Sequence, residues 1–176
     1  VGISTAIDSL AAIKKYIFDE ERISKRQAVD VVRGNDDAED LLIFLRYQSP
    51  KFGDNNRITN ELAQRVFEDF GKVVDGLTND RGGCVRAGTG AAMYYLWYAD
   101  QTGNTLSGRR KGEPFSANYA PELFVQNRGP LSVITSFTKP ELTNTINGGP
   151  LTMEFHSTVF KEDDGIRKVA WLVYQF

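Results

Sequence analysis

Cysteine and histidine each occur once in the 176 residues, as Cys84 and His156. A single cysteine excludes an internal disulfide framework, and one histidine beside it excludes a Cys/His zinc cluster. Neither sign of charge is in excess, since 21 Lys and Arg face 23 Asp and Glu for a net charge of −2. A surface that coats nucleic acid is therefore excluded, because such a surface needs surplus cations to displace counterions from phosphate. Long hydrophobic runs are missing too: Ala91–Ala99 is among the longest and falls well short of a bilayer span. The sequence opens with no basic stretch leading into an apolar one, so the expectation is no secretion signal, no membrane and a cytoplasmic location. What is present is ordinary. Hydrophobic residues at 41% and charged residues at 25% match globular averages and exclude disorder, collagen and coiled coil. The length suits one domain or a piece of a larger one.

The first 80 residues read as helical. Ile7, Leu10, Ala11, Ile17 and Phe18 recur at the spacing of one helix face, with Lys14 and Lys15 outside it. Ser24 and Gln27 form a candidate capping box ahead of Val29 and Val32. After the Gly34-Asn35 break, Asp36 or Asp37 is placed to cap a helix holding Leu41, Leu42, Phe44 and Leu45. The stretch from Ser49 to Asn56 has loop composition throughout. Thr59 or Asn60 then opens a helix with Leu62, Val66, Phe70, Val73 and Leu77 on one side.

Beyond Asp80 the expectation is strands, a long loop and a last helix over residues 81–176. Arg81–Tyr98 reads as a loop feeding a strand, and Asp100–Arg128 as a long polar connection. Two further strands are expected at about Pro130–Thr138 and Pro150–Val159. Asp163 or Asp164 caps an amphipathic helix that reaches Phe176 with no stop signal, which suggests a continuing chain. Helices followed by strands with long connections favour an α/β layout, and strands lacking clean alternation suit a sheet covered on both faces.

Motif chemistry alone is sparse. Gly88-Thr89-Gly90 lacks the third small residue of a dinucleotide fingerprint, because Met93 stands there. Close backbone packing is the favoured reading. Glu154 and His156 would share one strand face about 7 Å apart, but no third group orients the imidazole. Cys84 reads as a small core residue rather than a nucleophile. Ser107–Pro114 is a cationic turn able to hold an anion or to anchor nearby carbonyls.

Four ordered stretches carry a resemblance. Gly2–Lys14 contains Asp-Ser-Leu-Ala-Ala-Ile; Ser49–Asn56 reads Ser-Pro-Lys-Phe-Gly-Asp-Asn-Asn; Thr102–Pro114 reads Thr-Gly-Asn-Thr-Leu-Ser-Gly-Arg-Arg-Lys-Gly-Glu-Pro; and Gly129–Ser136 with Lys139 follows. Together they resemble the glycyl radical enzymes, the pyruvate formate-lyase-like family. Leu106 and Ser107 depart from that family's usual Pro-Asp.

The resemblance implies part of the second half of a ten-stranded β/α barrel, with residues 1–176 as a partial barrel domain. It implies anaerobic radical cleavage or formation of C–C or C–heteroatom bonds on a small organic substrate, aromatic ones included. In such enzymes a glycyl radical, installed by an S-adenosylmethionine [4Fe–4S] activating enzyme, oxidises a cysteine to the thiyl that attacks substrate. The thiyl cysteine region and the C-terminal radical glycine domain fall outside the matched stretches. Cys84 follows the Pro-Lys-Phe-Gly loop instead of preceding it, and Arg86 stands where the family's cysteine motif has Glu. No catalytic residue, metal ligand or bound cofactor is therefore assigned here. This segment alone is expected to be inactive and to need the remainder of the barrel, an activating enzyme and a homodimeric full-length chain.

For substrate contact the candidates are Gly90, Ala92 and Tyr94, taken as one face of a strand passing the cavity. Gly108, Arg109, Arg110 and Gly112 are taken as structural loop residues. Phe115–Tyr119 and Ile146–Leu151 lean towards the arylacetate decarboxylase and benzylsuccinate synthase branch. The alternative is a catalytically silent half-barrel scaffold or partner subunit without radical residues.

Overall fold

Ile7 and Ala11 sit one helical turn apart and lose all exposure when Ile3–Ala12 coils into α1. The helix then widens: Ile13–Asp19 is a π-helix, closed by Glu20 N–H donating to Lys15 O at 2.9 Å. That change of pitch rotates the following side chains. Tyr16 becomes buried and Phe18 is left 62% exposed, where uniform 3.6-residue spacing placed Phe18 on the inner face. Tyr16 packs edge-on against Phe44, ring centroids 5.0 Å apart, and its hydroxyl donates to Gln48 O.

The computed structural model describes residues 1–175 and holds, among them, seven α-helices and no β-strand. Helix α2 spans Lys25–Arg33 and has the expected reciprocal box between Ser24 and Gln27. A 3-10 turn at Asp36–Ala38 precedes α3, Glu39–Gln48. Neither aspartate caps α3; Ala38 takes that position, and the aspartates lie in the turn before it. Helix α4 spans Arg57–Val74 and is capped by Asn56, whose Oδ1 accepts from Ile58 N–H at 2.9 Å, ahead of the expected Thr59 or Asn60. Its inner face is Thr59, Ala63 and Phe67, with Leu62 and Val66 beside them. Phe70, Val73 and Leu77 stay exposed.

The three expected strands are absent. Residues 81–93 form a loop touched by one isolated bridge between Thr78 and Cys84, followed by the single-turn helix α5, Tyr94–Trp97. Pro130–Thr138 is α6 instead of a strand. Pro130 supplies the fixed φ of a first helical position, and Val133, Ser136 and Phe137 meet the interior at helical spacing. Its β-branched residues are accommodated because Thr135 and Thr138 hydroxyls donate to the carbonyls of Leu131 and Ile134. Residues 150–156 run unpaired into a 3-10 turn, Ser157–Phe160, and α7 spans Asp163–Gln175. The final position of the expected last helix, Phe176, lies outside the described residues.

Two apolar clusters hold the helices. One gathers Tyr16, Ile23, Val31, Leu42 and Leu45 from the first three helices and their connections. The other joins Ile7, Phe52, Ala63, Phe67 and Tyr119, with α1 lying against α4. Tyr119 is its hub, with ring centroids 4.5 Å from Phe52, 4.7 Å from Phe67 and 5.1 Å from Phe137. Such aromatic pairs add roughly 0.5–1.5 kcal/mol each beyond area burial. No helix of the described residues is long and apolar enough to cross a membrane.

Candidate functional site

Between the two apolar clusters lies a buried polar clasp, assembled from stretches distant in sequence. Helix α1 contributes Thr5, Asp8 and Ser9; the 49–56 loop contributes Ser49 and Lys51; the 102–122 segment contributes Ser107, Arg109, Ser116 and Glu122. All but Ser9 are buried.

Lys51 is placed by the Ser49-Pro50 turn, which ends α3 and directs the chain back across it. Its ammonium donates to Leu45 O at 3.1 Å, to Ser49 Oγ at 2.8 Å and to the Ser107 carbonyl. Three donors meet three acceptors, so the charge is fully coordinated. Burial pulls the Lys51 pKa down, against the opposing pull of Asp8 and Glu122. Asp8 Oδ1 accepts from Phe52 N–H at 2.6 Å, which ties α1 to the loop. Glu122 Oε1 accepts from Ser107 Oγ at 3.0 Å. Burial raises both carboxyl pKa values.

Arg109 is fully buried and stacks on Phe115 with its guanidinium carbon 4.0 Å from the ring centre. Its Nη1 donates to Arg110 O and Glu113 O, and its Nη2 to Thr102 O and Gly103 O. One planar fork thus closes the whole turn on itself. Gly108 has φ 94°, and a Cβ there would collide with the Arg46 backbone. Arg46 in turn donates to Glu113 Oε2 at 2.7 Å and lies 4.0 Å over Phe124. Burial raises the Glu113 pKa, but the bonds from Arg46 and from Arg110 N–H outweigh it and hold the carboxyl below its usual value. Arg110 reaches outward to Glu39 on the surface. Gly112 has φ 84° beside Asp100. The cationic turn therefore binds its own carbonyls rather than an outside anion.

The departure at Leu106-Ser107 has a local reason. Leu106 packs on the first apolar cluster, and Ser107 presents a hydroxyl to Glu122, where a carboxylate would set like charges together. Sequence reasoning missed Glu122. Pro121-Glu122 sits in a polar connection with no periodic signal, and only the partner at Ser107 gives it meaning.

The remaining candidates separate. Gly90, Ala92 and Tyr94 are exposed and share no strand face: Gly90 is in a loop, Ala92 has φ 44°, and Tyr94 begins α5. Tyr94 stacks against Tyr98, and Trp97 is 69% exposed beside them. Of the Gly88/Gly90 pair expected to allow close packing, Gly88 does so against the Asn147-Gly148 backbone, with Thr89 N–H donating to Gly148 O at 2.9 Å, whereas Gly90 meets open space. Cys84 is exposed, not a core residue, because the hairpin at Asn79–Gly83 projects away from both clusters. His156 caps the 157–160 turn through Nδ1, apart from any acid partner. Among the described residues no group of three His, Cys, Asp or Glu side chains is placed to hold a metal.

Comparison with known proteins finds relatives over nearly the whole chain. The chain is 28% identical over 174 residues to trans-4-hydroxy-L-proline dehydratase of Clostridioides difficile, covering 98% of the chain and 22% of that protein. The crystal structure of hydroxyproline dehydratase from the same organism, with trans-4-hydroxy-L-proline bound, superposes with a TM-score of 0.91 at 27% identity, over 99% of this chain and 22% of that one. A glycyl radical enzyme from Archaeoglobus fulgidus superposes at 0.89 with 29% identity over 99% of this chain and 22% of that one. The chain thus spans about a fifth of the length of the curated relatives it matches. The α1 motif, the 49–56 loop and α4 all fall within residues 1–99, which match the family model described as pyruvate formate lyase-like. This chain belongs to the pyruvate formate lyase-like family.

Proposed function

We propose that residues 1–176 are a segment of a glycyl radical enzyme that breaks or forms a C–C or C–heteroatom bond in a small organic substrate. The observation that supports this most is the clasp. Motifs 44, 56 and 98 positions apart, at Asp8-Ser9, Lys51-Phe52 and Ser107–Glu113, converge on one set of hydrogen bonds in the interior. Such convergence is a device for holding loops rigidly, and radical chemistry needs rigid walls that exclude water. The dehydratases among the relatives favour the C–heteroatom half of this reading, with loss of water from a hydroxylated substrate, over arylacetate chemistry. The segment's role is structural: it forms part of the second half-barrel, and the thiyl cysteine and radical glycine lie elsewhere in the complete protein. Gly90, Ala92 and Tyr94 are proposed to contribute to the substrate side of the exposed 88–98 loop. A radical S-adenosylmethionine enzyme, a homodimeric parent and a cytoplasmic setting complete the proposal.

The test is electron paramagnetic resonance of the complete chain after anaerobic activation. A glycyl doublet is expected. Its absence despite a competent activating enzyme would leave the scaffold reading in its place.

A further inference from the structure

The segment proposed to meet substrate is held in place by residues outside it. Residues 91–99 and 112–118 run in opposite directions and are joined at three points. Gly112 N–H donates to Ala99 O at 3.1 Å, Phe115 N–H to Tyr95 O at 3.1 Å, and Ala91 N–H to Asn118 Oδ1 at 2.8 Å. The first two bonds are between backbone groups. At the third a side-chain amide takes the place of a carbonyl, and its orientation is fixed by its partner, since only the oxygen of that amide accepts. Asn118 has φ 52°, a conformation that asparagine tolerates better than most residues. The turn around it is closed by Ala120 N–H donating to Ala117 O at 2.9 Å.

Asn118 is itself fixed on both sides. Two positions before it, Ser116 exchanges hydrogen bonds with Thr5 of α1: Ser116 N–H donates to Thr5 Oγ1 at 3.2 Å, and Thr5 N–H to Ser116 Oγ at 3.3 Å. The next residue, Tyr119, is the hub of the second apolar cluster. The other end of the facing loop is anchored separately. Asn147 N–H donates to Ala87 O and Thr89 N–H to Gly148 O, both at 2.9 Å, and Gly149 passes Thr89 too closely for any Cβ. Gly90 therefore lies between two anchors. Ala92, one residue past the Asn118 bond, is exposed and has φ 44°. Alanine rarely holds that conformation unless its surroundings impose it. Here the bond at Ala91 and the start of α5 at Tyr94 bracket it.

We propose that Asn118 is a positioning residue for the substrate face: by holding Ala91 N–H, its Oδ1 fixes where Gly90 and Ala92 stand. This rests on the reading of Gly90, Ala92 and Tyr94 as substrate contacts, and it adds to them a residue carried on a different segment, the one that leaves the Arg109 turn.

Two variants of the complete chain separate the side chain from the backbone. Asn118→Gly keeps the positive φ and removes the acceptor, whereas Asn118→Asp keeps an acceptor oxygen. Hydrogen–deuterium exchange at the Ala91 amide should quicken about tenfold in Asn118→Gly, as for loss of one hydrogen bond, and stay near wild type in Asn118→Asp. In the activated enzyme Asn118→Gly should raise KM with a smaller change in kcat, and Asn118→Asp should restore it. Unchanged Ala91 exchange in Asn118→Gly, or an aspartate variant as impaired as the glycine one, would overturn the proposal. The kinetics are read beside Ala92→Phe, which tests the substrate reading alone. If exchange quickens and KM stays put while Ala92→Phe alters substrate selectivity, Asn118 is not a positioning residue and the substrate reading stands. If neither variant alters turnover of any substrate, the substrate reading has failed and the proposal falls with it.

Discussion

Lys51 donates to the carbonyl oxygen of Ser107, 56 positions further along the chain, and so joins the loop after α3 to the start of the cationic turn. No other cation in the clasp reaches both the loop and the turn from a position this deeply buried. Lys51→Met keeps roughly the length of the side chain but leaves Asp8 without its buried counter-charge and Glu122 with Arg109 alone. The expected loss is about 3–5 kcal/mol of stability. It is read as a lowered thermal midpoint of the complete protein, with new protease sensitivity in residues 102–122. A midpoint within error of wild type would mean that the ammonium is dispensable there.

Arg109 and Arg110 are adjacent and should respond very differently to the same change. Arg109→Lys replaces a planar fork serving four carbonyls with a single ammonium, orphaning at least one of them at roughly 1–3 kcal/mol each. Arg110 meets only Glu39 at the surface, so Arg110→Lys should change stability by under about 1 kcal/mol. Parallel melts of the two variants decide the matter, and equal effects would contradict the assignment.

Gly108→Ala tests the approach of the turn to α3. The positive φ and the Arg46 backbone both oppose a Cβ, so a loss of more than about 1 kcal/mol is expected. Gly90→Ala meets open space and serves as the control.

Glu113 gives a pH dependence of the usual sign. Its folded pKa lies below the ordinary 4.5, so its contribution is present above that value and is lost as pH falls through the depressed one. Glu113→Gln should therefore lower stability at neutral pH and show less further loss on acidification. Chemical denaturation across the acid range measures both parts.

Ala92 tests the proposed substrate contact. Ala92→Phe should reduce turnover of large substrates more than small ones in the activated complete enzyme. Ala92→Gly suits the observed φ of 44° and should leave stability unchanged or slightly raised. Equal activity of the phenylalanine variant on every substrate would remove residue 92 from the pocket.

The sequence made the helices of the first half legible because their signals are local. The Ser24–Gln27 box and the Leu42/Leu45 spacing need no distant partner to act. Strands were misread at 130–138 because β-branched residues bias towards extended structure, whereas Gly129-Pro130 and the side-chain hydroxyls set a helix. The Arg109 turn was recognisable as a motif, but its direction was not: nothing in the order of residues says that a guanidinium faces its own carbonyls. Asp8, Lys51 and Glu122 lie beyond any local pattern, since their meeting depends on where three separate segments pack.

The π-helical stretch after α1 bears on how the length of this helix can vary. A π turn holds one residue more than the α turn it replaces, and the surplus is taken up within the helix. Asp8, on the near side, and Tyr16, within the widened stretch, are both buried in this register. Removing one residue within Ile13–Asp19 is therefore expected to return the widened turn to α pitch while leaving Asp8, which precedes it, in place.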